Sequence, residues 1–118
     1  MSSKKILIID DDPSVTSLLR AKLQSRGAVV EVSNVARHAL EIAKTFAPEM
    51  VVCDIDLGLD GDGGDLAGEL ARLPGMASTE IVFLSALVTP GDNSRQSGGR
   101  RLISKKSALP EIIDQILA

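Results

Sequence analysis

The chain has 118 residues, 44% hydrophobic and 25% charged, the composition of one ordinary folded domain that is long enough to bury a core and too short for two. A formal charge of -3 and only two aromatics, both Phe, argue against nucleic-acid binding, which needs excess cations and stacking platforms. No apolar run nears the roughly 20 residues of a membrane span, and the start MSSKK-ILII holds too short an apolar stretch for a signal peptide, so a cytoplasmic protein without membrane contact is expected.

Ile6-Leu7-Ile8-Ile9 is apolar and mostly β-branched with no polar alternation, as a strand covered on both faces requires, and three aspartates follow it. Asp12-Pro13 supplies an N-cap and a proline for the first helical position. Val15, Leu18, Leu19 and Leu23 then recur at helical spacing until Gly27 stops the helix. Ala28 to Val32 reads as a second strand, after which Ser33 or Asn34 is expected to cap a helix that carries Val35, Ala39, Leu40, Ile42, Ala43 and Phe46 and ends near Pro48. Val51-Val52-Cys53 is the third strand; its cysteine, the single one in the chain, has no disulfide or thiolate-site partner and belongs in the core.

From Asp65, Leu66, Leu70 and Leu73 mark a third helix that Pro74-Gly75 ends, and Ile81-Val82-Phe83-Leu84 is a fourth strand. Residues 89–99 hold Pro90, Gly91, Gly98, Gly99 and several serines without apolar periodicity, so a loop or a frayed helix is expected there. Leu102-Ile103 gives a fifth strand, and Leu109, Ile112, Ile113, Ile116 and Leu117 form a closing amphipathic helix. Strands alternating with helices predict an α/β fold, a single unit over residues 1–118 with a parallel sheet, right-handed crossovers and helices on both faces.

Ligands of such sheets sit beyond the carboxyl ends of the strands, where the strand order reverses. The residues at those ends are Asp10 and Asp11, Asp54, Ser85 and Lys105. Three converging carboxylates repel one another unless a cation joins them, and hard oxygen ligands with room for water suit Mg²⁺. A lysine beside them can pair with a carboxylate or hold a phosphoryl oxygen.

These residues lie in four stretches, ILIIDDDPSV, VVCDIDL, FLSA and ISK, and through them the chain resembles the receiver domain of bacterial two-component response regulators from Lys4 to Ala118. The resemblance implies a flavodoxin-like, doubly wound, five-stranded sheet of order 2-1-3-4-5. It implies that Asp54 accepts a phosphoryl group from a sensor histidine kinase, a histidine phosphotransfer protein or a small acyl phosphate, and that self-catalysed hydrolysis resets it; such an acceptor is not classed as an enzyme. Asp10, Asp11, Asp54 and the backbone carbonyl of Asp56 are implied ligands of Mg²⁺, for which Mn²⁺ can substitute. Ser85 and Lys105 are implied partners of the new acyl phosphate, and the Asp56 side chain is expected to alter its lifetime.

The chain departs from the family pattern at Gly58 and Lys106, where prolines are usual, at Leu102, where a switching aromatic is usual, and in the Gly/Ser-rich residues 89–99. Lys106 puts in doubt the cis peptide bond associated with the second proline, since a non-proline cis bond costs about 2.5–4 kcal/mol. A signal read differently from usual is therefore expected, with a downstream protein partner at the face around residues 89–106. The other class of reading is a receiver-like interaction module that binds irrespective of phosphorylation.

Asp54-Ile55-Asp56 also fits the nucleophile motif of haloacid-dehalogenase-like phosphatases, but that family carries it on the first strand of a larger chain. An EF-hand loop from Asp54 is disfavoured by Gly58 and Leu59 at positions five and six. Asp60 and Asp62 read as solvated turn formers, Asp65 as a favourable charge at a helix start, and the lone His38 as a surface residue. Arg95, Arg100, Arg101, Lys105 and Lys106 make the late chain basic, which suits solvated charge or docking of an acidic surface.

Overall fold

In a computed structural model, residues 4–55, 63–86 and 100–118 are described, with the side chains of 63–65 outside the description. The elements run β1 (Lys5–Ile9), α1 (Pro13–Ser25), β2 (Val29–Ser33), α2 (Ala36–Phe46), β3 (Met50–Asp54), α3 (Gly63–Ala71), β4 (Glu80–Ser85), β5 (Leu102–Ser104) and α4 (Leu109–Leu117). All strand pairs are parallel and the sheet order is β2-β1-β3-β4-β5, the flavodoxin-like arrangement expected. Gly58, Asp60, Asp62, Arg95 and the 89–99 segment, with its expected loop or frayed helix, lie outside the described residues.

The unalternating strand sequences are explained by two cores, one on each face of the sheet. Within β1, Ile6 and Ile8 point to one face while Leu7 and Ile9 point to the other. The first face packs Val30, Val52, Val82, Leu84 and Ile103 against Leu19 and Leu23 of α1 and Ile112, Ile113 and Ile116 of α4. The second packs Val51, Cys53, Ile81 and Phe83 against Ala39 and Ala43 of α2 and Leu66, Ala67 and Leu70 of α3. Small residues on α2 let that helix approach the sheet closely, and the buried Cys53 is a core residue as expected.

The termini of α1 follow their local chemistry. The Asp12 side chain accepts from the Ser14 N–H at 2.9 Å and Pro13 begins α1, while Gly27, at φ +92°, takes the left-handed position just past its end. At α2 the N-cap is Val35, which makes no side-chain cap, so neither Ser33 nor Asn34 occupies the expected position. Ser33 instead closes the preceding turn, its hydroxyl donating to the Val35 carbonyl at 2.7 Å. Asn34 reaches across to the end of β1. The described residues contain no cis peptide bond, so the Lys105-Lys106 bond is trans.

Candidate functional site

The strand order reverses between β1 and β3, and the acids gather there. Asp54 is the last residue of β3 and Asp10 the first beyond β1, and the register Ile9↔Cys53 brings the two level. Carboxylate oxygens of Asp10, Asp11 and Asp54 all lie within 4.8 Å of one another. Asp10 and Asp54 are buried and Asp11 is exposed, so the cluster has a closed floor and an open mouth.

Lys105 approaches from the other side of the sheet. Its main chain extends the ladder beyond β4, with Lys105 N–H donating to the Ser85 carbonyl at 2.8 Å. The following turn is closed by the Ser104 hydroxyl, which accepts from the Lys106 N–H at 3.0 Å, and by the Ser107 N–H on the Ser104 carbonyl at 3.2 Å. The side chain then places Nζ 2.8 Å from Asp10 Oδ2 and 3.2 Å from Asp54 Oδ1. Burial opposes the lysine's charge, but hydrogen bonds and attraction from Asp10 and Asp54 outweigh it and raise its pKa above the ordinary value. Asp11, although exposed, also sits above the usual carboxylate range, through partial desolvation and through hydrogen bonding with and repulsion by Asp10.

A divalent cation suits this donor set. Asp10 Oδ2 is buried, and the Lys105 ammonium at 2.8 Å is its counter-charge. Three carboxylates against one ammonium leave two formal negative charges, and all the ligating atoms are hard oxygens.

Ser85 is buried at the end of β4, level with Ser104 on β5 and one residue beyond Leu84, the register partner of Asp54 on β3. The structure therefore brings together Asp10, Asp11, Asp54 and Lys105 and sets Ser85 on the strand between; Asp56 lies outside the described residues. Leu102 is half-buried against the core on the α2–α3 side. Of the basic residues near the chain end, Arg101 is engaged by Glu80 at 2.8 Å and the Gln115 carbonyl at 2.6 Å, and Lys105 by the acids. His38 is exposed, as expected.

The family model described as the response regulator receiver domain matches residues 6–117. The chain belongs to the response regulator receiver domain family. Among curated relatives of this receiver domain, a 14.6 kDa protein in the sodA1 3′ region of Leptolyngbya boryana is 32% identical over 92 residues, covering 78% of the chain and 70% of that protein. The transcriptional regulatory protein KdpE of Mycobacterium tuberculosis is 29% identical over 116 residues, covering 96% of the chain and 49% of that protein. The receiver domain thus spans about half the length of that regulator.

Among solved structures, a receiver domain protein from Methanospirillum hungatei superposes with a TM-score of 0.82 at 24% identity, over 98% of this chain and 92% of that one. The chemotaxis response regulator CheY4 of Vibrio cholerae gives 0.82 at 23% identity, over 98% and 97%. At these identities they speak for the fold. No helix among the described residues is long and apolar enough to cross a membrane.

Proposed function

We propose that this receiver domain accepts a phosphoryl group on Asp54, from the phosphohistidine of a sensor histidine kinase or a histidine phosphotransfer protein, or from a small acyl phosphate. The observation that carries this reading is the meeting of Asp10, Asp11 and Asp54 oxygens within 4.8 Å, with the Lys105 ammonium on two of these residues. Asp10, Asp11 and Asp54, with the main-chain carbonyl of Asp56, would hold Mg²⁺ or Mn²⁺. A dication bound there supplies positive charge against the phosphoryl oxygens as they approach the acids.

In the transfer, a carboxylate oxygen of Asp54 forms a bond to phosphorus while the donor's phosphorus–nitrogen bond breaks and its electron pair leaves with the imidazole. Burial of Asp54 at the strand end fixes the nucleophile's direction, so the contribution is mainly positioning. Lys105, kept charged by its neighbours, can exchange the Asp54 oxygen for a phosphoryl oxygen, and the Ser85 hydroxyl can donate to another. Hydrolysis of the acyl phosphate resets the site, and the chain turns over no other substrate. A downstream protein partner at the face around residues 89–106 would read the state.

The test is intact mass spectrometry after incubation with Mg²⁺ and acetyl phosphate. Wild type should gain one phosphoryl group, while Asp54→Asn, and wild type in EDTA, should gain none. Absence of an adduct with both acetyl phosphate and a cognate kinase would sink the proposal and leave a phosphorylation-independent interaction module in its place.

A further inference from the structure

Asn34 follows β2 and lies next to the end of β1. The Asp10 N–H donates to the Ser33 carbonyl at 3.1 Å, the last bond of the β1–β2 ladder. At the next ladder position the donor is the side-chain amide of Asn34, whose Nδ2 lies 2.8 Å from the Asp10 carbonyl oxygen. The same Nδ2 lies 3.1 Å from Oγ1 of Thr16, a residue with 1% exposure in the first turns of α1. Thr16 gives its own hydroxyl hydrogen to the Pro13 carbonyl at 3.1 Å, so toward Asn34 it accepts. Both contacts need N–H donors, which fixes the amide orientation, and one NH₂ group with two hydrogens satisfies both.

The Asp10 carbonyl belongs to the planar peptide that joins Asp10 to Asp11. Holding that oxygen sets the plane in which the chain leaves the strand, and with it where Asp11 stands and the start of the path to the Asp12 N–H. That N–H donates to Asp10 Oδ1 at 3.0 Å, which orients the Asp10 carboxylate and leaves Oδ2 for the cation side of the site. From these contacts we infer that Asn34 is a positioning residue for the acid pair, clamping the β1–α1 turn between the strand end and the helix. The consequence for metal affinity rests on the Mg²⁺-dependent reading proposed above; the clamp itself does not.

The experiment uses Asn34→Ala, Thr16→Val and Thr16→Ser in the full chain, at a temperature where circular dichroism shows each folded. Mg²⁺ titrated into metal-free protein by isothermal calorimetry should bind about tenfold more weakly to Asn34→Ala, the scale on which outer-shell partners of metal sites act. Thr16→Val should lose part of the affinity, and Thr16→Ser, which keeps the hydroxyl, should bind as wild type does. In EDTA, amide exchange at Asp12 should quicken about tenfold in Asn34→Ala while β3 amides keep their protection, since only the turn is released.

Unchanged Mg²⁺ affinity with unchanged Asp12 exchange would overturn the inference, as would uniform loss of protection across the sheet. Should Asn34→Ala not fold, the contrast between Thr16→Val and Thr16→Ser decides. If wild type binds no Mg²⁺, the proposed function fails, and Asp12 exchange alone then decides whether the clamp exists.

Discussion

Replacing Lys105 by methionine keeps most of the stem and removes the charge from the acid cluster. The ammonium is 2.8 Å from Asp10 Oδ2 and 3.2 Å from Asp54 Oδ1, with side-chain exposures of 23% for the lysine, 1% for Asp10 and 7% for Asp54. Removing one partner of a buried pair costs about 3–5 kcal/mol, because the remaining charge is left uncompensated. The lysine's residual exposure argues for the low end, about 3 kcal/mol. A chain of 118 residues has an unfolding entropy of about 0.25 kcal/mol per kelvin, so Tm in EDTA at pH 7.5 should fall by about 12 °C.

Added Mg²⁺ should then stabilise Lys105→Met more than wild type, because the cation no longer competes with an ammonium for the Asp10 and Asp54 oxygens. If affinity rises tenfold, saturating Mg²⁺ recovers about 1.4 kcal/mol more in the variant, or roughly 6 °C. The pH dependence carries its own sign. The folded pKa of Lys105 is raised above the ordinary 10.5, so its stabilisation is fully present below that value and fades as pH rises through the folded value. The gap between wild type and variant should therefore persist through neutral and mildly alkaline pH and close only above 10.5. Thermal scans by circular dichroism measure all of this, and equal Tm values in EDTA at pH 7.5 would refute the reasoning.

Asp11→Asn should raise Tm in EDTA. A carboxyl whose folded pKa is raised destabilises the protein once ionised, above that pKa, and the amide removes the charge. The same variant should lose most of the Tm gain that wild type shows with Mg²⁺, and thermal scans with and without the ion check both signs. Arg101→Met should cost about 1–3 kcal/mol in urea unfolding, because it removes charge-assisted bonds to Glu80 at 2.8 Å and to the Gln115 carbonyl at 2.6 Å that tie α4 to the start of β4. Its phosphorylation by acetyl phosphate should be unchanged.

Much of the architecture was legible because burial on both faces of a parallel sheet erases polar alternation, and ILII, VVC and IVFL carry that mark directly. The site residues were legible because they stand at strand ends, where helix capping accounts for one acid after an apolar stretch but not for a run of three with a lysine opposite. Strand limits were less so: Met50, Asp54, Glu80 and Ser85 enter their strands through ladder bonds that propensity does not register. Asn34 was misread for a physical reason. An asparagine between a strand and a helix has the same sequence signature whether it caps the helix or bonds across to a neighbouring strand, and only the adjacency of β1 and β2 decides.

The place of Lys105 follows from the same topology. The strand that precedes it, β5, stands three positions from β1, about 14 Å at the usual interstrand spacing of ~4.8 Å, farther than four methylenes can span. The bond from Lys105 N–H to the Ser85 carbonyl continues the β4–β5 ladder one step and the Ser104-closed turn holds the chain there, so the lysine stem and the Asp10 and Asp54 side chains together close the gap past the end of β4. Such a crossing passes the end of β4, the strand that stands between β5 and β3. Ser85, the residue proposed to donate a hydroxyl to the phosphoryl group, ends the strand that the lysine crosses, so a bulky side chain at position 85 should disturb the metal-free ion pairs before any phosphoryl group arrives.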